Sequence, residues 1–154
     1  MKKVFLLASL MLLGIVNYAC AGSQKSDNAE AKDDGGVVVL NKEKFKTDIF
    51  DYENATEWSY KGDKPAIIDL YADWCGPCRK VAPIMKELAK DYEGKIIIYK
   101  VNVDKEKELA SLFNARSIPL FVFIPVDGEP QFLNGAADKD TYKKIIDEFL
   151  LANK

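Results

Sequence analysis

The sequence predicts an α/β fold, with a central mixed, mostly parallel sheet flanked by helices on both faces. Three observations predict it. Short apolar runs alternate with amphipathic stretches in the order β-α-β-α-β-α-β-β-α. The runs at 66–71 and 120–124 are apolar almost throughout, as strands covered on both faces are. The chain has 154 residues, 48% hydrophobic and 30% charged, which suits one domain with one core. Net charge is −2 with both signs interspersed, so no basic patch invites nucleic acid.

Residues 1–21 stand apart from that domain. Lys2 and Lys3 open the chain, Val4 to Val16 is apolar apart from Ser9, and small residues surround Ala19-Cys20-Ala21. This is the order of an export signal. The apolar run is too short for a membrane span, which needs about 20 residues. Cys20 also resembles the lipid-attachment site of bacterial lipoproteins, although Asn17 and Tyr18 stand where such sites carry Leu and a small residue. Ala19-Cys20-Ala21 equally reads as an ordinary A-x-A cleavage site. A periplasmic or envelope-associated location is therefore expected, with any membrane attachment through Cys20. Residues 22–36 (GSQKSDNAEAKDDGG) are polar, without an apolar period, and are expected to form a flexible tether. Residues 37–154 remain as the folded domain.

Val37 to Leu40 reads as a strand and Lys42 to Phe50 as a helix with Phe45, Ile49 and Phe50 on one face. Asp51 to Lys64 is irregular, with Trp58 and Tyr60 as anchors. Ala66 to Tyr71 (AIIDLY) is a buried strand interrupted by Asp69. Val81, Ile84, Met85, Leu88, Ala89 and Tyr92 then recur at helical steps, Pro83 lies inside that helix, and Gly94 is placed to end it. Ile96 to Val101 is a strand. Asp104 is placed to cap a helix through Phe113, with Leu109, Leu112 and Phe113 inward. Leu120 to Ile124 follows Pro119 as a strand, Val126 to Glu129 is a turn, and Gln131 to Asn134 is a last strand ended by Gly135. The final helix is expected from Asp138 to Ala152.

The chemistry sits at YADWCGPCRK, residues 71–80. A disulfide between Cys75 and Cys78 would close a very short loop, stabilising by only about 2 kcal/mol against about 4.7 for a hundred-residue loop. Zinc needs four ligands in a structural site, and the chain has no His and only one other Cys. A haem-attachment C-x-x-C-H fails because residue 79 is Arg. A redox role fits better. The pair follows a buried strand and opens a helix, so the first cysteine meets the positive helix end, which favours the reactive thiolate. The second, one turn on, is within bonding distance and is expected to be more shielded. C-x-x-C beside a βαβ pattern is a redox signal of its own.

WCGPC resembles the active site of the thioredoxin family, and the handling of C-x-x-C thiols in that family is a standard illustration of the motif. Asp69 in the preceding strand, Pro83 in the helix, Lys100 in the next strand and Ile118-Pro119 before the fourth resemble the family in the same order. The resemblance covers about residues 37–154. It implies a thioredoxin fold and a protein-disulfide reductase without cofactor or metal. It implies that Cys75 attacks a substrate disulfide and Cys78 resolves the mixed disulfide. It implies that Asp69 exchanges a proton with Cys78, the alternative being a structural partner for Lys100. A cis Ile118-Pro119 bond opposite the cysteines is implied too, leaving the Ile118 backbone to pair with a substrate strand. Trp74, Gly76, Pro77, Ile118, Pro119 and Gly135 would form the docking surface. Leu120 stands where the family commonly has Thr.

Gly-Pro between the cysteines lacks the His that stabilises a thiolate in oxidising members, which predicts a reducing pair. In an oxidising compartment such a pair needs an electron donor, and a thiol-relay membrane protein is the expected partner beside disulfide-containing protein substrates. An oxidant or isomerase in the same compartment, and a non-catalytic binding module, are the other readings. The chain is expected to act as a monomer.

Overall fold

The computed structural model describes residues 33–152. The expected export signal, Cys20 and residues 22–32 of the expected tether lie outside the described residues. Six strands form one sheet: β1 (Asp33–Asp34), β2 (Val37–Val39), β3 (Ala66–Tyr71), β4 (Ile97–Asn102), β5 (Leu120–Ile124) and β6 (Gln131–Asn134). Their order is β1-β2-β4-β3-β5-β6. The helices are α1 (Lys42–Asp48), α2 (Gly76–Asp91), α3 (Lys107–Leu112) and α4 (Lys139–Ile145).

The helix-linked strands β2, β4 and β3 are mutually parallel, whereas β1, β5 and β6 pair antiparallel. The sheet is mixed, with a smaller parallel share than the alternation of elements implies. Apolar periodicity reports which face is buried and carries no information on strand direction.

The period of two in the strands sorts the core into two layers. Along β3, Ile67 packs with Val81, Met85 and Leu88 of α2 and Tyr142 of α4. Ile68 and Leu70 pack with Phe45 of α1 and Leu109 of α3 on the opposite face. Each such fully buried apolar side chain contributes about 1.5–3 kcal/mol. The alternation assigns Asp69 to the α2 face. In β4, Ile98 faces α2 while Tyr99 and Val101 face away, so Lys100 also belongs to the α2 side. The parallel register sets Asp69 beside Lys100.

Several local expectations hold and several change. Trp58 packs on Phe50, with ring centroids 5.0 Å apart, and its Nε1–H donates to the Gly128 carbonyl at 3.2 Å. The Tyr60 hydroxyl donates to the Lys64 carbonyl at 2.7 Å. Gly94, at φ +75°, lies just past the C-terminus of α2. The tether expectation fails at its end: residues 33–36 form a hairpin with β2, turning through Gly35 (φ +67°) and Gly36 (φ +88°). Two consecutive positive φ values are what a tight two-residue hairpin requires, and glycine adopts them without a Cβ clash. Helix α3 starts at Lys107 rather than after Asp104, and Leu112 is exposed instead of inward. The last helix is α-helical only to Ile145 and continues as a π-helical turn over Ile146–Leu150.

Candidate active site

The site is built at the N-terminus of α2. Cys75 is the N-cap of that helix, and its Sγ accepts from the Cys78 backbone N–H at 3.2 Å. A cap normally uses a short oxygen side chain. Here sulfur takes that place, aligned with the unpaired N–H groups and the positive end of a 16-residue helix. Any negative charge on Cys75 Sγ is thereby stabilised where it forms. Pro77 fits the first turn, where its missing N–H removes no helical bond. Cys75 and Cys78 are joined as a disulfide with their Cα atoms 5.3 Å apart. The expected difference in shielding is absent at the residue level, since both cysteines are 3% exposed. In the disulfide each sulfur covers the other.

What separates the two sulfurs is direction. Cys75 Sγ lies 3.8 Å from the Ile118 carbonyl oxygen, on the side of the β5 entry loop. The Ile118–Pro119 peptide is cis. The Pro119 carbonyl accepts from the Gly135 N–H at 2.8 Å, so the loop before β5 and the end of β6 form one ledge beside the disulfide. Trp74 projects next to it, 68% exposed. Its Nε1–H donates to Asp104 Oδ2 at 2.9 Å, which fixes the indole over the loop after β4. Asp104 therefore serves Trp74 rather than capping α3. Asn102, a buried polar residue, braces the same corner. Its Nδ2 donates to Asp73 Oδ2 at 3.2 Å, and its Oδ1 accepts from the Asp104 N–H at 3.0 Å. The ledge offers an exposed aromatic face and backbone groups, the features that bind an extended peptide.

On the other side, Cys78 lines a small cavity of about 60 Å³ with Asp69, Lys100, Tyr71, Met85, Lys86 and Asp34. Asp69 is 6% exposed, and its Oδ1 has no hydrogen-bond partner. Burial raises its pKa to about 7, because a charge there loses its hydration; Lys100 offsets only part of that cost. Asp69 and Lys100 do not form an ion pair. Lys100 Nζ donates instead to Asp34 Oδ2 at 2.5 Å, and Lys86 Nζ donates to Asp34 Oδ1 at 2.7 Å. The ion-paired form of the alternative, Asp69 as a structural partner of Lys100, is not seen, although the two stand side by side in register. Asp69 keeps a free oxygen and a pKa near neutrality, on the side of the disulfide where Cys78 sits.

The thioredoxin family model matches residues 36–148 of this sequence. The chain belongs to the thioredoxin family. It is 46% identical over 113 residues to the thioredoxin of Borreliella burgdorferi, covering 73% of this chain and 97% of that protein. It is 38% identical over 106 residues to the thioredoxin of Chlorobaculum thiosulfatiphilum, covering 69% and 89%. It is 38% identical over 94 residues to a chloroplastic M-type thioredoxin of Spinacia oleracea, covering 61% of this chain and 52% of that one. A thioredoxin with Cys75 and Cys78 at bonding distance is a thiol–disulfide oxidoreductase, and thioredoxins act on disulfide-containing proteins.

The structure brings Asp69, Trp74, Cys75, Gly76, Pro77, Cys78, Lys100, Ile118, Pro119 and Gly135 to the N-terminal end of α2 and its flanking strands, with Pro83 further along the helix and Cys20 outside the described residues. Three more join them. Asp104 was legible only as a cap, because its partner Trp74 is 30 residues away. Asn102 carried no signal beyond a polar end to an apolar strand. Asp34 was hidden in polar sequence, although Asp-Gly-Gly before an apolar run is a hairpin signal.

Proposed function

We propose that this thioredoxin reduces disulfide bonds of protein substrates in the cell envelope, with electrons supplied by a thiol-relay protein of the membrane. The observation that carries the direction is the pair of spacers, Gly76 and Pro77, in a chain without histidine. No imidazolium stabilises the reduced Cys75, so the reduced form remains a good donor. The export-type order of residues 1–21 supports the compartment.

The reaction runs in two exchanges. A substrate segment docks against Trp74 and Pro77 and pairs its backbone with Ile118, beside Pro119 and Gly135. The Cys75 thiolate, held by the α2 N-terminus, attacks one substrate sulfur. The Cys75–substrate disulfide forms and the other substrate sulfur leaves as a thiolate, which takes a proton from water. Asp69 then accepts the proton of the Cys78 thiol. The Cys78 thiolate attacks Cys75 Sγ, the Cys75–Cys78 bond forms, and the second substrate thiolate departs. Two electrons have passed to the substrate, and the donor returns two to the disulfide. Lys100 supplies positive charge at the mouth of the cavity, near the carboxyl that receives the proton.

The test is the equilibrium potential of the purified protein against glutathione, read by thiol alkylation. A value at or below about −250 mV is expected for a reductant. A value at or above about −180 mV would overturn the direction and assign an oxidant or isomerase, with thiol–disulfide exchange intact. Cell fractionation with N-terminal sequencing checks the compartment: unprocessed protein confined to the cytosol would contradict it.

A further inference from the structure

We propose that Asp34, in the hairpin that leads into β2, is a positioning residue for the proton step: it holds Lys100 on the hairpin side of the cavity and so keeps Asp69 unpaired for Cys78. This rests on the proton-acceptor role given to Asp69 above.

Four observations carry it. Asp34 lies in the β1–β2 hairpin, two residues before the first residue that the family model matches. The β1–β2 register sets Asp34 opposite Val37, whose side chain packs in the α2 layer, so Asp34 faces the same side. Its two oxygens divide two lysines from two elements: Oδ2 takes Lys100 of β4 and Oδ1 takes Lys86 of α2. Asp34, Lys86, Lys100, Asp69 and Cys78 line one cavity, and in it Asp69 Oδ1 has no partner.

The physics follows from competition. Lys100 stands beside Asp69 in register, and its charge acts on the Asp69 carboxyl. A carboxylate paired to an ammonium is a weaker base. Asp34 offers Lys100 a half-exposed carboxylate, already ionised because its two lysines hold its pKa down to about 2. Pairing there avoids the desolvation that pairing beside Asp69 would require. The groups facing Asp69 are Lys100 of β4, Tyr71 of β3, Cys78 and Lys86 of α2, Asp34 of β1 and Tyr142 of α4, which senses its charge. Among them Lys100 and Lys86 carry positive charge, and Asp34 engages both.

The experiment uses Asp34→Asn in the full chain, with the Asp69 carboxyl followed by carbon NMR in the oxidised protein, where neither thiol titrates. Lys100 then turns to Asp69, and the Asp69 midpoint is expected to fall by about one pH unit or more, as beside a close opposite charge. The acid limb for resolution of a Cys75–glutathione mixed disulfide is expected to shift down with it. In a Lys100→Met background the same substitution is expected to move the midpoint by less than half as much. An unchanged Asp69 midpoint in Asp34→Asn overturns the proposal, as does an equal shift with and without Lys100. Should Asp34→Asn disturb the hairpin, seen as loss of its amide protection, Asp34→Glu decides: it keeps the charge, and a wild-type midpoint supports the proposal while a lowered one overturns it. A failure confined to these midpoints leaves disulfide reduction standing, whereas a wild-type protein that reduces no protein disulfide fails the functional reading itself.

Discussion

Cys75 and Cys78 are bonded to each other and equally buried, yet they face different surroundings. Cys75 looks outward to a ledge of backbone carbonyls, a cis-proline loop and an exposed indole. Cys78 looks inward to a cavity in which the buried Asp69 Oδ1 has no hydrogen-bond partner. In the proposed reaction, one side binds and attacks and the other moves a proton. The difference teaches that a four-residue motif can hold two chemistries because α2 turns its sulfurs toward different layers.

The comparison breaks most sharply at the sulfurs themselves. Cys75→Ser is expected to reduce protein-disulfide reduction to the uncatalysed background, because it removes the attacking atom. Cys78→Ser retains attack but is expected to accumulate the Cys75 mixed disulfide, visible by mass spectrometry. Equal trapping in both variants would erase the distinction between the two sides.

Next in size is the buried carboxyl. Its folded pKa, about 7, lies above the ordinary aspartate value near 3.9, so folding takes up a proton between those limits. Stability should therefore fall as pH rises through that window, by up to about 4 kcal/mol. Asp69→Asn is expected to remove most of that fall and to be the more stable protein at pH 8, measured by urea unfolding at pH 5 and pH 8. A variant less stable than wild type at pH 8 would show that Asp69 is a satisfied structural group.

Smaller effects sharpen the outward side. Asp104→Ala frees the Trp74 indole and loses one hydrogen bond worth about 1 kcal/mol, so KM for a protein substrate is expected to rise about fivefold with kcat nearly unchanged. A fall in kcat instead would place Trp74 in the chemistry. The smallest effect serves as the control. Trp58→Phe loses a bond to Gly128 in an exposed loop, and is expected to cost under about 1 kcal/mol with activity unchanged.

Much of this was legible in the sequence for local reasons. Asp69 stood out because it interrupts an apolar strand, and Cys75 could be placed at a helix start because an apolar strand precedes it. The rest depended on distant partners. Asp104 has the same local chemistry whether it caps α3 or holds Trp74, and the local reading was the one that failed. Leu112 fits the helical period, but α3 begins two residues later than expected and its short face buries Leu109 alone. Asp34 lies in polar sequence that resembles a tether until the two glycines fold it back onto β2. The antiparallel run of β5 leaves no trace in hydrophobic pattern at all.

The most direct test is the pH dependence of mixed-disulfide resolution in wild type and Asp69→Asn. The expected result is an acid limb with a midpoint near 7 in the wild type, set by Asp69. In the variant the limb should move up toward the ordinary thiol range near 8.5. Identical profiles in the two proteins would contradict the account, because Cys78 would then lose its proton without the carboxyl beneath it.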